Sequence, residues 1–138
     1  MREIKYLVLH CTAGPQSQSI KAIQDYWKNE LGWKSPGYHY IIQPNGIAVS
    51  LQPIEKPSNG VAGYNSNSIH ISYIGGVDAK GNPIDNRTPD QVKTQVFLLS
   101  KFKKMFPNAE IKGHRDFPGV KKACPSFDVK AWLKSVKL

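Results

Sequence analysis

Short β-rich runs alternate with segments of helical periodicity along this chain, and that alternation constrains the fold more than any other feature. Apolar runs at 4–9, 38–43, 47–51, 69–74 and 110–112 predict strands. Apolar residues at helical spacing predict helices that begin near Ile20, after Thr88 and near Val129. We therefore expect one α/β domain over residues 1–138. In it, a central mixed β-sheet of about five strands is covered by about three α-helices.

Turn and cap residues support these boundaries. Asn45 and Gly46 lie between two apolar runs, which predicts a hairpin of antiparallel strands. Thr88 and Gln91 have the spacing of a capping box, with proline at the first helical position. Gly32 follows the first helical stripe and is a candidate C-terminal cap.

His10, His114 and Cys124 are the residues whose chemistry suggests a metal site. His10 ends the first predicted strand, and the other two bracket a loop that contains glycine and proline. Two imidazoles and a thiolate suit Zn²⁺, and three protein ligands leave one tetrahedral position open, as in catalytic sites. We expect this zinc site to lie in a surface groove. A Cys11–Cys124 disulfide is the alternative, although Cys11 is more simply explained as a small core residue.

Two further histidines compete for the ligand roles. His39 lies in an aromatic and apolar run, where a buried, hydrogen-bonded structural histidine is expected. His70 alternates with Ile69 and Ile71, so its side chain faces away from theirs. We therefore consider His70 a candidate substrate contact.

The charge distribution points to an anionic partner. The net charge is +9, and residues 101–138 contribute ten Lys/Arg against three Asp/Glu. Anionic envelope polymers fit this pattern, as would a solvated surface. No zinc-finger, helix-turn-helix or RNA-recognition signature is present, so no specific nucleic acid is expected.

Membrane and export signals are not found in the sequence. No stretch approaches the roughly 20 apolar residues that span a bilayer, and the N-terminus has no signal-peptide pattern. We therefore expect synthesis in the cytoplasm without a signal peptide, with action elsewhere only after release. The oligomeric state stays open, a monomer being the simplest expectation.

Several motifs resemble one known family over essentially the whole chain. They are Val8–Cys11, Gly37–Ile42, Gly63–Ile69, Gly75–Asp78 and, most specifically, Lys122–Asp128. These segments resemble the zinc-dependent N-acetylmuramoyl-L-alanine amidases of the type-2 class, which include phage amidase lysozymes and animal peptidoglycan recognition proteins. A departure is His70, which replaces a residue that is usually small. The loop between His114 and Cys124 is also longer than in the phage relatives.

The resemblance implies roles for individual residues. By position, His10, His114 and Cys124 would be the zinc ligands, and Tyr38 and Lys122 the catalytic side chains. Asn65 lies in a segment that borders the family's substrate groove, which makes it a candidate for substrate binding together with His70.

The reaction implied is hydrolysis of the amide between N-acetylmuramic acid and L-alanine in peptidoglycan, as in phage endolysins acting on the cell wall. Lys122 would stabilise the oxyanion and Tyr38 would assist proton transfer, while no carboxylate stands out as general base. The alternative is a protein that binds peptidoglycan without cutting it, as do family members that lack the third ligand.

Overall fold

A single five-stranded mixed sheet organises the part of the chain described by the computed structural model, residues 2–138. The strands are β1 (Tyr6–Cys11), β2 (Tyr40–Ile42), β3 (Ala48–Ser50), β4 (Ser68–Tyr73) and β5 (Glu110–Gly113). Their order across the sheet is β3-β2-β4-β1-β5. Only the β2–β3 pair is antiparallel, and the other three pairings are parallel. The predicted architecture is confirmed.

Three helices pack against this sheet, and each begins at a polar cap. They are α1 (Ile20–Asp25), α2 (Pro89–Met105) and α3 (Val129–Ser135). At the start of α2, the predicted capping box forms in both directions between Thr88 and Gln91. After α1 the chain continues as a π-helical turn over Tyr26–Glu30 and leaves it at Gly32, whose φ of +66° favours glycine. Within residues 2–138, no helix has the length and apolarity needed to cross a membrane.

Alternation along the central strands separates two faces of the sheet. Leu7, Leu9 and Cys11 of β1 pack into the main core with α2 and α3. The side chains of Val8 and His10 project from the opposite face, which α1 and the long loops cover. The candidate metal ligand of β1 therefore lies on the face with the less complete helical cover.

The boundaries differ from the predicted ones in a way that matters for the site. The first strand runs two residues further than the predicted 4–9, because His10 and Cys11 pair in register with Ser72 and Tyr73 of β4. His10 is thus held inside a paired strand instead of at its free end. The hairpin formed by β2 and β3 is confirmed, with each strand shorter than the apolar run that predicted it.

Candidate metal centre and groove

His10 and His114 meet because their strands are parallel neighbours. β1 and β5 pair in register up to Leu9 and Gly113, and each histidine is the next residue along its chain. Parallel strands end at the same sheet edge, where ligands commonly bind in open α/β folds. The two imidazole centroids lie 4.8 Å apart. A carboxylate oxygen of Asp116 accepts the Gly113 N–H at 2.8 Å and holds the turn that begins at His114.

Cys124 reaches this edge on a loop pinned by hydrogen bonds. Its carbonyl accepts from the Arg115 N–H at 2.9 Å, and the Tyr73 hydroxyl donates to the Pro125 carbonyl at 2.7 Å. The Cys124 thiol in turn accepts the backbone N–H of Cys11 at 3.2 Å. Tertiary contacts therefore bring the thiol to the end of β1, although the two cysteines are 113 positions apart in sequence.

The three donors fit one metal ion. His10, His114 and Cys124 each offer an atom, and these atoms lie within 4.8 Å of one another. Nitrogen and sulfur ligands of tetrahedral zinc lie roughly 3.3–3.8 Å apart, and the distance from His10 Nδ1 to Cys124 Sγ is 3.8 Å. Both cysteines are free thiols, so the alternative of a Cys11–Cys124 disulfide is not formed.

Burial keeps the two candidate imidazole ligands neutral, which is the form that binds metal. His10 is 1% exposed. Its burial, the largest cause, and the positive charge of Lys122 lower its pKa well below 6.5. Burial and then Lys122 also lower the pKa of His114. Lys122 lines the same cavity as both imidazoles.

The donor cluster opens into a groove of two adjoining cavities. The inner cavity, of about 490 Å³, contains the three donors together with Tyr38, Lys122 and an aromatic wall of Trp27 and Trp33. The outer cavity, of about 750 Å³, shares His114 and Lys122 and adds Asn65, Lys121 and Val120. No Asp or Glu of residues 2–138 lines either one.

Tyr38 and Lys122 border the inner cavity in different ways. The Tyr38 ring lies over His10 at 5.1 Å between centroids, and its hydroxyl donates to the Cys11 carbonyl at 3.2 Å. Burial raises the pKa of Tyr38, so the hydroxyl stays protonated. Lys122 is exposed at the rim. Trp33 was not anticipated from the sequence, because it lies beyond the helical stripe that singled out Trp27.

The two candidate substrate contacts, Asn65 and His70, differ in their exposure to the groove. Asn65 lines the outer cavity. His70 has no exposed surface, so the expectation that it faces the groove is wrong. It projects from the predicted sheet face, but the loop around Gly60 covers it, and its Nδ1 lies 2.8 Å from His10 Nε2. His39 is also fully buried and hydrogen-bonded, which confirms its structural assignment.

Fold and site together define a class of protein. A three-donor cluster that leaves room for substrate, at the carboxyl edge of an α/β sheet, is typical of a metal-dependent hydrolase. Residues 1–127 match the family model described as N-acetylmuramoyl-L-alanine amidase, and the chain belongs to this family. It is an endolysin-like peptidoglycan amidase.

Individual relatives agree with this assignment. The chain is 35% identical to an endolysin of Enterobacteria phage K11 over 138 residues, covering 99% of this chain and 90% of that protein. The solved Ph2119 endolysin from a Thermus scotoductus bacteriophage superposes with a TM-score of 0.81 at 26% identity, covering 99% of this chain and 85% of that one. Drosophila PGRP-LB, with a TM-score of 0.80 at 19% identity over 98% of this chain and 82% of its own, shares the fold.

Proposed function

We propose that this amidase uses a zinc ion held by His10, His114 and Cys124 to hydrolyse the amide between N-acetylmuramic acid and L-alanine. The observation that carries the proposal is the set of three donor atoms within 4.8 Å of one another at the base of the groove. Their chemistry, two neutral imidazoles and a thiol, suits zinc better than magnesium or calcium, which prefer oxygen ligands.

The residues around this cluster can serve amide hydrolysis. When bound, Zn²⁺ polarises a carbonyl and lowers the pKa of water in the site. Lys122 contributes a positive charge beside the cluster, where it stabilises negative charge that develops on the carbonyl oxygen. The Tyr38 ring packs over His10, and its protonated hydroxyl, which donates to the Cys11 carbonyl, can accept a hydrogen bond from the reacting groups and orient them.

The proton route has an unusual constraint in this groove. Since no carboxylate of the described residues lines either cavity, a carboxylate base of the kind used by many hydrolases is not at hand. Among the polar side chains of the inner cavity, which also include Thr12, Gln18, Tyr26 and Asn59, Tyr38 packs on His10 and Lys122 carries a charge. We assign proton handling to these two, with no separate general base.

The groove suits a muramyl peptide as substrate. The aromatic wall of Trp27 and Trp33 offers apolar surface to the lactyl and alanyl methyl groups. Lys121 and Lys122 also line the groove and suit the carboxylates of a stem peptide. Asn65 lies along the outer wall, where its segment borders the peptide. In this proposal the protein acts on the cell wall after release from the cytoplasm, and its basic C-terminal third favours anionic envelope polymers.

Digestion of purified peptidoglycan tests the proposal directly. The protein is stripped of metal with a chelator, reloaded with Zn²⁺ and incubated with peptidoglycan, and mass spectrometry identifies the new ends. We expect free L-alanine amino termini and intact glycan strands from the zinc-loaded protein, and none from the stripped protein or from Cys124→Ser. Binding to peptidoglycan without new amines would instead indicate a non-catalytic binding protein and overturn the proposal.

A further inference from the structure

Asn65 determines which atoms donate and which accept in a chain of hydrogen bonds that ends at the candidate metal centre. Its Oδ1 accepts the backbone N–H groups of Val61 at 2.8 Å and Gly60 at 3.1 Å. Two N–H donors identify this atom as the amide oxygen, which can only accept. The same oxygen lies 2.8 Å from His70 Nε2. His70 must therefore donate, and its Nε2 carries a proton.

The position of the proton on His70 in turn determines the position of the proton on His10. A neutral imidazole with its proton on Nε2 presents a lone pair at Nδ1. His70 Nδ1 lies 2.8 Å from His10 Nε2, so His10 donates from Nε2. The remaining nitrogen of His10, Nδ1, then carries a lone pair, and this is the atom 3.8 Å from the Cys124 thiol.

The surroundings of His70 hold its ring in this position. Its imidazole stacks on His39 with 6.0 Å between centroids and 14° between planes. Its backbone N–H donates to His39 Nδ1 at 2.9 Å. On the other side, a methyl group added to Gly60 would collide with the His70 ring, so the loop closes directly over it. Neither ring rotation nor solvent entry is available without opening this loop.

We propose that His70 is a positioning residue for the metal centre, which locks His10 as the Nε2–H tautomer and aims its Nδ1 lone pair at the ion. The proposal rests on the zinc amidase function argued above. In this role His70 does not contact substrate, and it therefore needs no exposed surface. Metal-binding histidines generally donate their second N–H to an oxygen acceptor; this chain uses the nitrogen of a second histidine, itself oriented by Asn65.

The first test reads the tautomer in metal-free wild-type protein. Long-range ¹H–¹⁵N correlation spectra of the imidazole nitrogens at pH 7.5 distinguish protonated from unprotonated nitrogens. We expect His10 and His70 both to carry the proton on Nε2. A proton on His10 Nδ1 would overturn the proposal. Because this measurement needs neither zinc nor activity, it stands even if the zinc amidase function fails.

Two variants of His70 with side chains of similar size then separate its role as a hydrogen-bond acceptor from its role in packing. His70→Asn retains an oxygen near the position of Nδ1 and can still accept from His10, whereas His70→Leu cannot. We expect zinc affinity, measured by chelator competition, to fall about 10–100-fold in His70→Leu. It should be largely restored in His70→Asn, with His10 again protonated on Nε2. Equal zinc affinity in His70→Leu and wild type would contradict the proposal, as would equal losses in the two variants.

Discussion

His39 should make the stability of this protein fall steeply in mild acid. Its Nδ1 accepts the backbone N–H of His70 at 2.9 Å, and its Nε2 lies 2.7 Å from the Lys56 carbonyl. The ring is therefore neutral with its proton on Nε2, and protonating Nδ1 would set two N–H groups against each other. Burial, together with the nearby Arg2 guanidinium, lowers the pKa of His39 from 6.5 to about 4.

The magnitude follows from this difference in pKa. In the unfolded chain the imidazole gains a proton as the pH falls through 6.5, whereas the folded protein resists until about pH 4. The unfolded state thus binds more protons in this window, and stability is lost as the pH falls. At about 1.4 kcal/mol per pKa unit, His39 alone lowers the free energy of unfolding by about 2 kcal/mol by pH 5 and about 3 kcal/mol by pH 4, relative to pH 7.5.

Urea unfolding of metal-free protein, followed by tryptophan fluorescence, measures this effect. His39→Asn retains an oxygen that can accept the His70 N–H, and it cannot titrate. His10, His70 and His114 remain in both proteins, so the difference in unfolding free energy between wild type and variant reports on His39 together with its coupling to the stacked His70. We expect wild type to lose about 2 kcal/mol more than His39→Asn between pH 7.5 and pH 5. A difference that stays constant over this range would refute the assignment of a buried neutral imidazole.

Other perturbations give sharp expectations. Cys124→Ser should lose most zinc and most activity while its circular dichroism spectrum stays close to wild type; an active, zinc-free variant would refute the ligand set. Lys122→Ala should lose activity while it retains stoichiometric zinc, whereas Lys121→Ala, which removes a neighbouring charge outside the inner cavity, should stay close to wild type. Gln91→Leu removes side-chain hydrogen bonds to the Ile42 and Ile74 carbonyls and the α2 capping box; it should lower the free energy of unfolding by about 2–4 kcal/mol in urea titrations.

Local sequence signals predicted most of the secondary structure. The Thr88–Gln91 capping box and the Asn45-Gly46 hairpin are encoded by a few adjacent residues, and both appear where they were expected. Strand ends were predicted less well. The end of β1 depends on pairing with β4, a strand about sixty residues away, and a run of apolar residues carries no information on that partner.

For the site, as for the strands, the sequence predicted what depends on local residues and missed what depends on tertiary contacts. The identities of His10, His114 and Cys124 were available from residue type and from the resemblance to a known family. Their convergence depends on the parallel pairing of β1 with β5 and on the loop that carries Cys124. The role of His70 was mistaken, because strand alternation predicts a face of the sheet and cannot show what covers that face.

The sequence by itself thus determined the fold class, the candidate donor residues and the family, since these depend on local periodicity and on residue chemistry. Only the tertiary structure decided which nitrogen of His10 lies near the Cys124 thiol, and that His70 and Asn65 are hydrogen-bonded in sequence behind its other nitrogen. The orientation of His10 depends on hydrogen bonds between residues that are far apart in the chain. In these bonds, whether one residue donates or accepts depends on the proton position of its neighbour. The burial pattern along one strand shows neither which residue is the hydrogen-bond partner nor which of the two residues donates.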